Sequence, residues 1–262
     1  MRLAASPPGE PQRHFVFERC FGFRDLGGYT GLNGRRLRWR KLFRSMTPEY
    51  MTRGDLFRAG QLGIATLIDL RGPRFETSGP LGEPPARRVA VGSRRRWRPT
   101  REARRTIMEA PPEESLPIFL ERMTPSFVRA AAVISRAKGG VLLHCRLGKD
   151  RTGILSALLL KLVGVADADV IADYMASAPF TASALQLVRE AEAGNPEDRI
   201  HTESRVSGAP PQPEAMAAVL ARLEEYGGAH AYFEERGASP RTLSKLVENL
   251  LEGEKPAVKW ET

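Results

Sequence analysis

Two cysteines in 262 residues are too few for a disulfide framework. No apolar run approaches the roughly eighteen residues that a membrane-spanning helix needs. The start of the chain, Met1 to Pro11, holds one Arg among prolines and a glycine and lacks the apolar centre of a secretory signal. A cytoplasmic location is the expectation, with export by a route that uses no such signal as the other option. His14, His201 and His230 show no metal-ligand spacing, and Cys20 reads as a small buried hydrophobe.

What is present is ordinary for a globular protein, with 42% hydrophobic and 27% charged residues. The net charge of +9 is spread along the chain except for a dense cluster from Arg94 to Arg105. Such a surplus suits nucleic acid, phosphorylated ligands, peripheral contact with anionic lipid, or a merely solvated basic face. No specific nucleic acid is expected as a partner.

The pattern of elements is α/β. Phe15–Phe17 reads as an edge strand, Arg36–Leu42 as a half-buried strand and Ile64–Leu70 as a buried strand with Asp69 at its C-terminal end. Thr52-Arg53-Gly54-Asp55 is a capping box for a helix to about Ala59. From Pro73 to Pro117 the sequence is rich in Pro, Gly and Arg, with one basic helix around Arg101–Glu109, and reads as a lid or insertion. Thr124 before Pro125 reads as an N-cap, with the helix ending at Gly139. Further helices are expected over 154–163, 167–176, 213–226 and 241–251. The expected division is a flexible tail over 1–13, a single domain over 14–252 with the 73–117 lid, and a C-terminal tail over 253–262.

Between the apolar run Val141-Leu142-Leu143 and the apolar segment from Ile154 lies His144-Cys145-Arg146-Leu147-Gly148-Lys149-Asp150-Arg151-Thr152-Gly153. A strand, a tight loop and a helix N-terminus together form an anion cradle, because loop amides and the helix dipole both direct positive charge inward. A cysteine at its base is expected to act as a thiolate nucleophile. The amides of Arg146 through Arg151 can curl around a phosphate, Gly148 permits the turn, and Arg151 can fork two charge-assisted bonds onto phosphate oxygens. Thr152 can donate to the sulfur when it leaves. His144 reads as a loop-bracing residue, and Lys149 as either a contact for a second phosphate or a solvated lysine. Asp69 and Asp150 are both candidate general acids, each with a structural alternative, and Asp25 reads as a turn brace.

This loop resembles the phosphate-binding loop of the cysteine-based protein tyrosine phosphatases. Its Lys149-Asp150 pair is similar to a bacterial atypical, dual-specificity branch that includes a mycobacterial secreted tyrosine and phosphoinositide phosphatase. Phe23-Arg24-Asp25-Leu26-Gly27-Gly28, Leu42-Phe43-Arg44-Ser45, Ile68-Asp69-Leu70-Arg71 and Asp173-Tyr174-Met175-Ala176-Ser177 resemble four further motifs of that branch. The resemblance implies a phosphatase-like α/β fold: a central, mostly parallel sheet flanked by helices, a lid insertion and a helical C-terminal half. It also implies a cysteinyl-phosphate intermediate, with Cys145 as nucleophile, Arg151 holding the phosphoryl group, an aspartate as acid, and no metal or cofactor. Phosphoprotein or phosphoinositide is then the substrate, and inorganic phosphate the product and an inhibitor. The alternatives are a specialised phosphoinositide or inositol-phosphate phosphatase and, from another class, a non-catalytic module that captures phosphorylated ligands.

Overall fold

The computed structural model describes residues 11–71, 86–92, 110–193 and 208–253. Its strands are β1 (Arg24–Asp25), β2 (Leu42–Ser45), β3 (Ile64–Asp69), β4 (Arg87–Ala90) and β5 (Gly140–His144). They form one sheet in the order β1-β2-β5-β3-β4. Only β1 runs antiparallel to its neighbour; β2, β5, β3 and β4 are parallel. The α/β fold with a mostly parallel sheet therefore holds. So does the helical second half: α1 (Arg53–Gly60), α2 (Pro112–Arg122), α3 (Thr124–Ile134), α4 (Asp150–Leu162), α5 (Asp167–Met175), α6 (Ala178–Ala193), α7 (Pro213–Glu225), α8 (Gly228–Glu235) and α9 (Pro240–Leu250). Among the described residues, no helix is long and apolar enough to cross a membrane.

Each sheet face carries its own core. Val141 and Leu143 of β5 face the larger cluster, with Ile68, Leu70, buried residues of α4 and the helices after it. Leu142, between them, faces the smaller cluster with Phe43, Leu67, Phe17, Phe23 and Leu187. This is the period of two that a strand imposes, and covering both faces is why the strands read as apolar runs. Helix α4 is buried along almost its whole length, from Thr152 to Leu160 and again at Leu162. Its N-terminus meets the C-terminal end of β5 through a loop of a few residues. That junction, on the central strand, is where an open α/β sheet presents ligand sites.

Several boundaries differ from the sequence reading, each for a local reason. The Thr52–Asp55 capping box is present: Asp55 N–H donates to Thr52 Oγ1 at 3.1 Å and Thr52 N–H to Asp55 Oδ2 at 3.4 Å. Asp55 also accepts the amides of Glu18 and Arg19, each at 2.9 Å, tying the N-terminal segment to α1. Phe15–Phe17 is not a strand; only an isolated bridge, His14 to Arg24, forms there. The strand expected over Arg36–Leu42 lies instead over Leu42–Ser45, because Arg40 turns the chain at φ 60° and the four residues of Leu42–Ser45 are all buried. Thr124 is the first helical residue rather than the cap, its hydroxyl donating back to Glu121 O at 2.7 Å. Helix α3 stops at Ile134, before Gly139.

Of the 73–117 segment, Arg87–Ala90 pairs with β3 as an edge strand, and Pro112–Arg122 packs Leu116 and Leu120 into the larger core. The Arg94–Arg105 cluster, the Arg101–Glu109 helix and His201 lie outside the described residues.

Leu143 is 0% exposed on the central strand, whereas Phe57 on α1 is 72% exposed. Leu143→Ala is expected to lower unfolding free energy by about 2–5 kcal/mol through transfer and cavity costs. Phe57→Ala should change it by less than about 0.5 kcal/mol. Urea denaturation of the two variants checks the pair.

Candidate active site

Strand β5 ends at His144 and Cys145 follows it, both buried at 0% and 3% exposure. Burial pushes the His144 imidazole down to about 4, so the ring is neutral at physiological pH. Nδ1 lies 3.3 Å from the Cys145 carbonyl, which can only accept, so Nδ1 carries the proton. His144 thus braces the loop's first peptide.

From Cys145 the chain turns through Arg146 to Lys149 and enters α4 at Asp150. The outward carbonyls of this turn are bonded one by one. Arg146 O accepts the Thr47 N–H at 3.0 Å. Gly148 O and Lys149 O accept Nη2 of Arg44 at 2.8 and 3.3 Å. A trans peptide sets N–H opposite to C=O. The amides of Leu147, Lys149 and Asp150 therefore face the concave side of the loop, beside the start of α4 and its positive dipole end. Gly148 makes the turn possible twice over: its φ is +66°, and a Cβ there would lie 2.2 Å from the Ser45 carbonyl oxygen.

Arg44 is wholly buried on β2, the neighbour of β5. Its Nη1 pairs with Asp173 Oδ2 of α5 at 2.5 Å. Asp173 Oδ1 takes Nε of Arg24, on β1, at 2.8 Å, and Arg24 Nη2 also donates to Ser177 Oγ at 3.1 Å. Burial raises the Asp173 carboxyl, but Arg24 and Arg44 outweigh it and bring the group to about 2. Next to Asp173, Tyr174 packs its ring against Gly153, where a Cβ would meet the ring carbon Cδ2 at 2.8 Å. The sequence alone assigns no role to Arg44 or Asp173, and offers Arg24 only as an ion-pair partner of Asp69, whereas Arg24 pairs with Asp173. The usable signal was a charged residue standing inside an otherwise apolar run.

The two candidate acids sit in opposite surroundings. Asp69 is fully buried; its Oδ1 accepts Arg71 N–H and Nε at 2.9 and 3.1 Å, and its Oδ2 accepts Arg71 Nη2 at 3.1 Å and Arg88 Nη2 at 2.7 Å. Burial alone would raise it, yet His144, Arg71 and Arg88 hold it near 2. Asp150, in the first turn of α4, is raised by burial, which prevails over Lys149, Arg151 and Tyr174. Lys149 is not solvated: it is 2% exposed, its Nζ donates to the Ala209 carbonyl, and it lies 3.4 Å from Asp150 Oδ1. Arg151 is half-buried, with Nη1 donating to Leu70 O at 3.3 Å. Thr152 is fully buried and its hydroxyl has no hydrogen-bond partner among the described residues. Leu147 packs on the edge of the smaller core, and Arg146 stays partly exposed. Asp25 braces its turn as read, accepting Gly27 N–H at 2.8 Å and Arg40 N–H at 2.6 Å.

A family model described as the tyrosine phosphatase family matches residues 15–252. A relative from Cupriavidus necator, which carries a provisional tyrosine-protein phosphatase name, is 34% identical over 66% of this chain and 66% of its own length. A tyrosine-protein phosphatase of Nostoc commune is 35% identical over 44% of this chain and 40% of its own. The chain thus spans less than two thirds of the length of these curated relatives. The crystal structure of TpbA from P. aeruginosa aligns with 71% of this chain and 89% of that one, at 17% identity and a TM-score of 0.29, too low to carry an argument.

Gly148→Ala is expected to cost about 1–3 kcal/mol of unfolding free energy, from a strained φ and an overlap that backbone must relieve. Urea titration measures it; a loss below about 0.5 kcal/mol, the scatter of a surface change, would contradict the contact. Asp69 and Asp173 fold with carboxyls near 2 against an ordinary 3.8. Their stabilisation is therefore complete above about pH 5 and is lost as pH falls towards 2. Asp69→Asn should flatten stability across that window, read as melting temperature against pH.

Proposed function

The chain belongs to the tyrosine phosphatase family, and on that footing we propose that it hydrolyses phosphotyrosine by a cysteine-dependent route. The observation that carries this reading is the loop over Cys145: three of its carbonyls are bonded outward, so their partner amides line a cradle at a helix N-terminus. Such a cradle is complementary to the equatorial oxygens of a phosphoryl group in transfer.

In the first step the Cys145 thiolate attacks phosphorus, forming S–P as the bond from phosphorus to the phenolic oxygen breaks. Asp150 gives its proton to that oxygen. Arg151 and the amides of Leu147, Lys149 and Asp150 hold the phosphoryl oxygens. In the second step water attacks phosphorus, the S–P bond breaks, and Asp150 takes up the water's proton. Inorganic phosphate leaves. Arg146 and Leu147 flank the cradle, and the buried Thr152 hydroxyl is available to the departing sulfur.

Asp150 is assigned the acid because an acid must hold its proton at working pH, and burial favours that form. Asp69, tied to two arginines and held near 2, serves instead to brace the end of β3. Lys149, engaged by Ala209 and Asp150, supports a role beside the acid rather than at a second phosphate. That weighs for phosphotyrosine over phosphoinositide, while phosphoserine and phosphothreonine turnover remains a secondary activity of the same chemistry.

A panel of p-nitrophenyl phosphate, a phosphotyrosyl peptide and a phosphoinositide tests the reading. Cys145→Ser is expected to abolish turnover of all three. Asp150→Asn should lower kcat on the peptide by about 10²–10⁴-fold and remove the fall in kcat on the alkaline side of the profile. Asp69→Asn should keep that alkaline limb. Activity surviving in Cys145→Ser would refute the mechanism, and faster turnover of the lipid would reverse the substrate order.

A further inference from the structure

We propose that Arg44 and Asp173 are positioning residues for anion binding: Arg44 supplies a buried positive charge behind the Cys145 loop, and Asp173 aims it. The proposal rests on the reading of that loop as a phosphate site.

The charge balance beneath the loop is the first argument. Arg24 and Arg44 are at 1% and 0% exposure, and both pair with the one carboxylate of Asp173. Two buried guanidiniums thus share one buried carboxylate. A network built only to support the fold would leave that surplus charge at a high desolvation cost. Arg44 donates to the carbonyls of the loop that begins at Cys145, so an anion held in that loop would supply the missing counter-charge. A thiolate, and then a phosphoryl group, completes the balance.

The second argument is geometric. One terminal nitrogen of Arg44 reaches Asp173 while the other reaches the carbonyls of Gly148 and Lys149. Only a planar fork spans these partners at once; an ammonium is a single point of charge. By holding the Gly148 carbonyl outward, Arg44 keeps the Lys149 amide turned inward, while the Lys149 carbonyl is also taken by the Gly153 N–H at 2.7 Å. Asp173 is itself fixed by Arg24, whose Nη2 donates to the Asp173 carbonyl at 2.6 Å.

The test uses the full chain as wild type, Arg44→Lys and Asp173→Asn. Calorimetric titration with inorganic phosphate gives affinity, and the pH dependence of Cys145 alkylation by iodoacetamide reports the thiolate. Arg44→Lys, which keeps the charge but not the fork, is expected to weaken phosphate by about tenfold or more, the loss of one charge-assisted bond. Its alkylation midpoint should move to higher pH. Asp173→Asn should shift both readouts in the same direction, with KM for p-nitrophenyl phosphate rising more than kcat falls. If both variants merely melt at lower temperature, with phosphate affinity and alkylation profile unchanged below melting, the residues are structural and the proposal falls. Should Asp173→Asn not fold, Arg44→Lys alone decides. A wild type that binds no phosphate would instead overturn the reading of the site itself.

Discussion

An anion cradle made of backbone has to solve a problem on its outer side. Turning amides inward turns the same peptides' carbonyls outward, and here they point into protein, where an unbonded carbonyl is costly. The Arg44 guanidinium resolves this at Gly148, the Thr47 amide does so at Arg146, and the Gly153 amide together with Arg44 does so at Lys149. Much of the surrounding architecture serves that requirement. Strand β2 lies beside β5 so that Arg44 reaches the loop from below. Helix α5 brings Asp173 to Arg44, and β1 brings Arg24 to Asp173. Remote parts of the chain thereby converge on one turn.

The same site separates two carboxyls by environment rather than by type. Asp69 is fully buried and Asp150 partly so, and desolvation raises each. Two guanidiniums, from Arg71 and Arg88, reverse this at Asp69 and fix it as an anion. At Asp150 the nearest cation is Lys149, 3.4 Å away and shared with the Ala209 carbonyl, and burial prevails. Asp69 is thereby held as an anion, while the Asp150 carboxyl is shifted towards its protonated form. Lys149 is almost fully buried and directs its charge at Asp150 and the Ala209 carbonyl.

The two cores make the site rigid. Strand β5 is paired on both edges and packed on both faces, and α4 is enclosed by the larger cluster. The loop joins two buried, well-paired elements, which restrains its ends. Gly148 and Gly153 stand where the loop and α4 pack closely against Ser45 and Tyr174. A side chain at either position would have to displace backbone or a buried ring.

Local pattern alone determined the α/β class, the strand–loop–helix unit around Cys145 and Arg151, the capping box at Thr52 and the helical second half. These rest on periodicity, turn chemistry and short-range spacing, which neighbouring residues express by themselves. It misplaced β2, because a strand that buries Arg44 in an ion pair does not alternate, and it did not find β4, whose four residues matter only through their pairing with β3. It left Asp69 and Asp150 undecided, and left Lys149 open between solvent and a second phosphate. Those outcomes depend on Arg88, Tyr174 and Ala209, from 19 to 60 positions away. A carboxyl's proton affinity and a buried arginine's partner are set by distance in space, and only the folded chain brings Arg24, Arg44 and Asp173 within reach of one another.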